Sequence, residues 1–261
     1  MPAPMDIGPI RLFVALHKNA PLPENNSHFI ALGVGGFQPN SSRLPVRSDA
    51  TGDSISQKNL NYGELTGWYW IWKNFNDAKI VGLNHYRRYF CDNKSVLTMP
   101  APKIYVPPTA ENFASIASPQ FSVFIRSALS VADVIVPRRQ YLGPSIAEQY
   151  VSSHGREDWD LFLQGVSENC PDLAKSIGWF DLATEAYLYN MMIAPKKFFD
   201  SYMSHLFAVL TWMEKQKPFP RDGYQRRVPA FIAERFFSLY LFATRAGCFE
   251  LPVVILDQTA F

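Results

Sequence analysis

Lys79-Ile-Val-Gly-Leu-Asn-His-Tyr-Arg-Arg-Tyr-Phe90 is the stretch that decides the fold. Ile80 to Leu83 is a short run without a polar side chain, the pattern of a strand buried on both faces. A histidine, two tyrosines and two adjacent arginines follow it directly, where a solvated charge run would be out of place. Upstream, Leu65, Trp68, Tyr69 and Trp72 recur at i, i+3, i+4 and i+7, so a helix with one face on a core is expected from about residue 54 to 75. Ser54 and Gln57 have capping-box spacing at its start, and Asn74-Phe-Asn-Asp77 ends it. A helix feeding a buried strand that ends in polar groups is a unit of an α/β sheet.

The flanking sequence repeats the alternation. Residues 10–16 form an apolar run that ends at His17 and Lys18, and residues 29–34 read as a second strand before Gly35-Gly36. Beyond Phe90, a Pro-rich connection over 99–108 precedes a helix opened by Ser118-Pro119 and running to about 130. Residues 132–137 read as a strand, and helices are expected at 144–154, 157–169 and 196–215, with a strand over 191–194. Pro229 opens a helix to about 244, and 249–256 closes the chain as one strand. The class is α/β, a Rossmann-type, mostly parallel sheet flanked by helices. With no internal repeat and no linker, one domain over 1–261 is expected, with a nucleotide-binding half over about 10–137 and a C-terminal half over 138–261.

Composition narrows the classes. Of 261 residues, 48% are hydrophobic and 18% charged, which excludes a disordered chain. A formal charge of +2 gives no general affinity for nucleic acid, so any anion binding must be local. The three cysteines, Cys91, Cys170 and Cys248, lack metal-site spacing and suit a reducing, cytoplasmic compartment. Residues 1–9 carry no signal-peptide core, and no run approaches the ~18 apolar residues of a membrane span. Docking on a membrane surface stays open. Aromatic residues reach 15%, enough to serve both a large core and sugar stacking.

In open α/β sheets, ligands bind beyond the carboxyl ends of the strands. Three such ends carry polar groups here: His17-Lys18, His85-Tyr-Arg-Arg88, and the segment around Asn190. Arg87 and Arg88 offer fixed forks of donors that suit phosphate oxygens. The N-terminus of the helix near Ile55, with Lys58 and Asn59 in its first turn, favours anions as well. Asp53 fits either a turn or a contact to a base edge. Asp158-Trp-Asp160, with His154 four residues earlier, has the look of a metal set, but it follows no strand and lies in a helical pattern. Glu234, in an apolar helix, needs a partner or a role if buried, while Arg235 is expected to point elsewhere. Walker A, dinucleotide and serine-hydrolase motifs are absent.

Thr51-Gly-Asp-Ser-Ile-Ser-Gln-Lys-Asn59, Tyr62-Gly-Glu-Leu-Thr66, Trp70-Ile-Trp-Lys-Asn74 and Gly82-Leu-Asn-His-Tyr-Arg-Arg-Tyr-Phe90 resemble the DUF4422 family. So do His17-Lys18, the Tyr150 to His154 pair, Asn190-Met-Met-Ile193 and Glu234-Arg-Phe236. Gly63 stands where a cysteine is common in the family and is read as a packing position. The resemblance implies a GT-A-like fold and a glycosyltransferase of bacterial capsule or exopolysaccharide synthesis. The family order places His85-Tyr-Arg-Arg88 where GT-A enzymes carry the D-x-D metal motif, which puts metal dependence in doubt.

The resulting expectation is a transferase moving a sugar from a nucleotide-diphosphate sugar, a UDP-hexose such as a galactose form, to a lipid-linked or oligosaccharide acceptor. His17, Lys18, Asp53, Lys58 and Asn59 would hold the nucleotide, and Arg87 and Arg88 the diphosphate. His85 would act with them, and Asp160 or Glu234 would be the catalytic carboxylate. Asn190 and His154 would meet the sugar or acceptor. No cofactor is required on this reading, Mn²⁺ or Mg²⁺ being the alternative to the arginines. A cytoplasmic site at the inner face of the plasma membrane fits a lipid-linked acceptor. A non-catalytic glycan-binding module and a metal-dependent nucleotide-sugar hydrolase are the rival classes.

Overall fold

A computed structural model describes residues 8–23, 28–40, 43–219 and 223–257. The reading of a missing signal-peptide core falls mostly on residues 1–7, outside the described residues. The strands are β1 (Ile10–Leu16), β2 (Phe29–Gly33), β3 (Val46–Ser48), β4 (Ile80–His85), β5 (Arg88–Tyr89), β6 (Lys103–Val106), β7 (Val134–Pro137), β8 (Gln140–Tyr141), β9 (Glu185–Ala186), β10 (Met192–Pro195), β11 (Cys248–Leu251) and β12 (Val253–Leu256). The main sheet runs β11-β7-β10-β4-β1-β2-β3, and every neighbouring pair is parallel except the two made by β10. This is the mostly parallel, GT-A-like α/β sheet that the sequence leads one to expect.

The apolar runs are continuous because both faces of the sheet are covered. Along β1, Phe13 and Ala15 face one core while Ile10, Leu12, Val14 and Leu16 face the other. The first core is closed by α1 (Asn59–Tyr62), α2 (Leu65–Asn74) and the C-terminal helices; α3 (Lys94–Leu97), α4 (Ala110–Ile116) and α5 (Phe121–Leu129) lie with the second. The C-terminal set is α6 (Ile146–His154), α7 (Arg156–Asn169), α8 (Pro171–Ala174), α9 (Ile177–Leu182), α10 (Lys196–Gln216) and α11 (Val228–Ala243). Gly82, at the middle of β4, has no room for a side chain: a Cβ there would meet Ile193 and Leu12 at 2.9 Å and the Met192 carbonyl at 3.2 Å. Among the described residues no helix is long and apolar enough to cross a membrane.

Several local expectations are corrected. The helix expected over 54–75 is a 3₁₀ turn (Ser56–Lys58) followed by α1 and α2, broken at Gly63 with φ 54°. Gly63 is therefore a position of positive φ between two helices, not simply a packing one. The Ser54 hydroxyl accepts from the Ser56 amide at 3.0 Å and donates to the Asp49 carbonyl, so no capping box forms. The Pro-rich connection contains β6, which pairs with β12, and Thr109 caps the unforeseen α4 by accepting from the Asn112 amide at 3.3 Å. The closing strand divides around Pro252: β11 lies along β7, whereas β12 leaves to pair with β5 and β6. Proline has no N–H to give to a ladder, which is why one strand becomes two.

Candidate functional site

The chain passes from β1 outward through β2 to β3, then returns on the other side of β1 as β4. That reversal is a topological switch point, and a crevice opens beyond the carboxyl ends of β1 and β4. His17 follows β1; His85 ends β4, and Tyr86-Arg87 turn the chain into β5, where Arg88 lies opposite His85. A cavity of about 370 Å³ here is lined by His17, Asn59, Glu64, His85, Arg87, Arg88, Arg226 and Arg227, among others. Four arginines and one carboxylate therefore share its lining.

A second cavity, of about 460 Å³, shares Glu64, Arg88 and Arg227 with the first and continues to His154, Asn190, Phe231, Glu234 and Arg235. Its wall is aromatic. His154 stacks on Phe231 with centroids 4.2 Å apart, and Tyr224 lies at 4.9 Å from the same ring. Both volumes fall in the roughly 300–1,000 Å³ range of small-molecule sites. A larger cavity, about 610 Å³ beside Trp179 and Phe242, is mostly apolar and is lined by none of the candidate side chains.

A polar network joins the two cavities. Asn190 donates to Glu64 at 2.9 Å and to the Ala230 carbonyl at 3.2 Å. The Arg227 guanidinium lies 3.8 Å from the other Glu64 oxygen. His85 Nε2 lies 2.8 Å from the Tyr189 carbonyl; since a carbonyl only accepts, Nε2 carries the hydrogen and Nδ1 the lone pair of a neutral ring. The Tyr189 amide donates to Glu234 at 3.0 Å, and the second Glu234 oxygen binds Arg235 at 2.9 Å. Tyr189 and Asn190 hold positive φ values of 79° and 48°, a strained pair of the kind that concentrates at functional sites. Asn190 is 3% exposed, yet its Oδ1 has no partner, and neither has the buried Arg235 Nε.

Burial holds His85 below the ordinary histidine range, with Glu64 pulling the other way. At Glu64, burial favours the neutral acid, but the Asn190 amide and the Arg227 guanidinium act against it and the carboxyl lies below the usual range. Glu234 is shifted up, chiefly by burial and against the pull of Arg235. His17 and His154 are both lowered, again mainly by burial.

The expected residues divide accordingly. His17, Asn59, His85, Arg87, Arg88, Asn190, His154 and Glu234 line the two cavities. Lys18 stands over the Tyr86 ring and lines a neighbouring cavity with Arg87. Three expectations fail. Asp160 lies on the exposed side of α7, 3.7 Å from Arg156 and outside the lining of both cavities, because α7 turns Trp159, Phe162 and Val166 inward. Asp53 accepts from the Tyr69 hydroxyl at 2.9 Å and is locked to Asn74 through its backbone, so it is a turn residue. Lys58 is drawn away by an ion pair with Glu214 at 2.6 Å, and the helix whose first turn it was to charge is a single short turn. Arg235, expected to point away from Glu234, pairs with it, since two long arms one residue apart reach the same space. Asp158 is buried while Asp160 is exposed beside Arg156, and among the described residues no three such side chains gather in a metal-binding group.

Glu64, Arg226, Arg227 and Tyr189 were not singled out. Glu64 lies inside the helix expected over 54–75, and Arg226-Arg227 lie between two expected helices. The one available signal was Glu64 within the string Tyr62-Gly-Glu-Leu-Thr66.

The fold and this crevice define a mostly parallel α/β protein of GT-A-like type with a basic cleft at its switch point. The chain belongs to the DUF4422 family, described as a domain of unknown function, whose profile matches residues 11–245. Its structure is similar to that of the WbbM bifunctional glycosyltransferase in the apo state, with a TM-score of 0.81 and 25% sequence identity. The match covers 96% of this chain and 46% of that one, so the chain spans about half the length of the enzyme it resembles. No curated protein matches the chain.

Proposed function

We propose that this protein is a glycosyltransferase that takes a sugar from a nucleotide-diphosphate donor. The observation that carries this reading is the joined pair of cavities. One is lined by Arg87, Arg88, Arg226 and Arg227, the other by aromatic residues, two carboxylates and Asn190. The likeness to part of a bifunctional glycosyltransferase supports it. On this reading the diphosphate lies in the basic cavity, and the sugar is passed across the Glu64–Arg88 boundary. Aromatic faces suit the apolar side of a sugar ring, while Asn190 suits a hydroxyl that needs an acceptor.

Breaking the glycosidic bond leaves negative charge on the departing nucleotide. Preorganised guanidinium groups in a partly enclosed crevice can meet that charge without reorganising, as a divalent ion would. The donor is proposed to be a UDP-hexose and the acceptor a lipid-linked or oligosaccharide glycan of bacterial surface polysaccharide synthesis, at the inner face of the membrane. The test is thermal stabilisation by UDP, GDP, CMP and dTDP, each in EDTA and with Mn²⁺, because a ligand of the folded state raises the melting point. Stabilisation by one nucleotide in EDTA is expected. Strict dependence on Mn²⁺ would remove the role given to the arginines, and no shift with any nucleotide would favour glycan binding without transfer.

A further inference from the structure

We infer that Glu64 is the base that takes the proton from the acceptor hydroxyl, an assignment that rests on the transferase reading above. Glu64 is the one carboxylate that lines both cavities. It stands at the break between α1 and α2, so its side chain leaves the helical surface and enters the crevice. Its two oxygens differ. One accepts from Asn190 at 2.9 Å, which fixes the plane of the carboxyl group. The other makes no hydrogen bond to Asn190 and lies 3.8 Å from the Arg227 guanidinium, an ion-pair distance beyond direct hydrogen bonding.

Glu234 is the other carboxylate within reach, and both of its oxygens are committed. The Tyr189 amide takes one at 3.0 Å and Arg235 the other at 2.9 Å. Its place is to hold the strained Tyr189-Asn190 turn, which in turn holds Glu64. Glu234 lines the aromatic cavity alone.

In the proposed step the acceptor oxygen forms a bond to the anomeric carbon as its proton passes to the Glu64 oxygen that Asn190 does not bind. The bond from that carbon to the β-phosphate oxygen breaks, and the electron pair leaves with the nucleoside diphosphate, facing Arg87, Arg88 and Arg227. A single displacement of this kind inverts the anomeric configuration.

The experiment follows donor cleavage by the full chain with UDP-galactose, UDP-glucose, GDP-mannose and dTDP-glucose, in water and with sodium azide. Glu64→Gln and Glu64→Ala are expected to lower cleavage in water by about 100-fold or more, the scale of general-base catalysis, with UDP affinity held within about threefold. Azide attacks without shedding a proton. It is expected to restore Glu64→Ala to within about tenfold of the wild-type azide rate, giving a glycosyl azide of inverted configuration. Asp160→Asn is expected to keep the wild-type rate. Turnover of both Glu64 variants within about tenfold of wild type overturns the assignment. So does a failure of azide to rescue while UDP still binds, or a product of retained configuration. If Glu64→Ala does not fold, the isosteric Glu64→Gln carries the same comparison. Absence of cleavage by the wild-type chain with every donor, in water and in azide, overturns the transferase reading itself.

Discussion

Arg87 and Arg88 are neighbours in sequence but occupy different electrostatic positions. Arg87 is exposed on the turn between β4 and β5, 5.5 Å from the Tyr86 ring, and lines the basic cavity and the one beside Lys18. Arg88 is half-buried on β5, packs 5.1 Å from the Tyr189 ring, and lines both halves of the crevice. Charge-assisted hydrogen bonds contribute about 1.5–3 kcal/mol each, more where water is excluded. Replacing Arg88 by alanine is therefore expected to weaken UDP binding by roughly 10- to 100-fold, and replacing Arg87 by clearly less. Titration calorimetry on the two variants checks the order; equal losses, or none, would show that the diphosphate does not lie against Arg88.

At the scale of elements, the crevice depends on a loop that makes no contact with it. Asp49, just after β3, is fully buried and accepts from four donors: the Gly35 and Gly36 amides at 2.9 and 3.0 Å, and the Ser56 and Thr66 hydroxyls at 2.7 and 2.5 Å. These tie the end of β2 to the start of α2, and so set where Val34, Asn59 and Glu64 enter the cavity. Removing the carboxylate strands buried donors, each worth about 1–3 kcal/mol. Asp49→Ala is expected to lower unfolding stability by about 3 kcal/mol or more and to weaken nucleotide binding with it. Urea denaturation tests this, and a loss under about 1 kcal/mol would mean the loop holds without that carboxylate. None of this was legible: Asp49 and Asp53 both sit in a polar loop, and only the fold distinguishes the buried anchor from the surface turn.

For the molecule as a whole, the histidines set a pH dependence. His17, His28, His85 and His154 are all lowered below the ordinary value of 6.5, chiefly by burial. Below pH 6.5 the unfolded chain therefore binds protons that the folded chain resists, and stability falls as pH drops through that window. Glu234, whose carboxyl is shifted up, works in the opposite sense: its burial penalty is relieved as the group protonates. Asp92 and Asp181, also shifted up by burial, act with Glu234. The four histidines, whose ordinary value of 6.5 lies inside the window, outweigh these carboxyls and make the net effect destabilising. The melting temperature is expected to fall steadily from pH 7.5 to 5.5, and a flat or rising profile by calorimetry would show that these rings accept protons in place.

The sequence by itself determined the alternation of strands and helices, the mostly parallel sheet, and the placing of His85, Arg87 and Arg88 at a strand end. Apolar periodicity and buried runs are local quantities, and a strand such as 80–83 can be read from its own residues. His17 and Asn190 are legible as strand-end residues, Asn59 as part of a helix's first turn and Glu234 as a charge in an apolar helix, while His154 is picked out by the family resemblance; all five line the cavities. Only the tertiary structure decided which carboxylate faces the junction. Glu64 and Asn190 meet across 126 residues of chain, and Arg227 reaches the same carboxyl from the C-terminal half. Asp160, Asp53 and Lys58 were as plausible by residue type, but helix phase, a turn and a distant partner, Glu214, turned them elsewhere. Periodicity reports which face of an element is buried. It does not report which other element arrives against that face, and at this site that second fact chooses the residues.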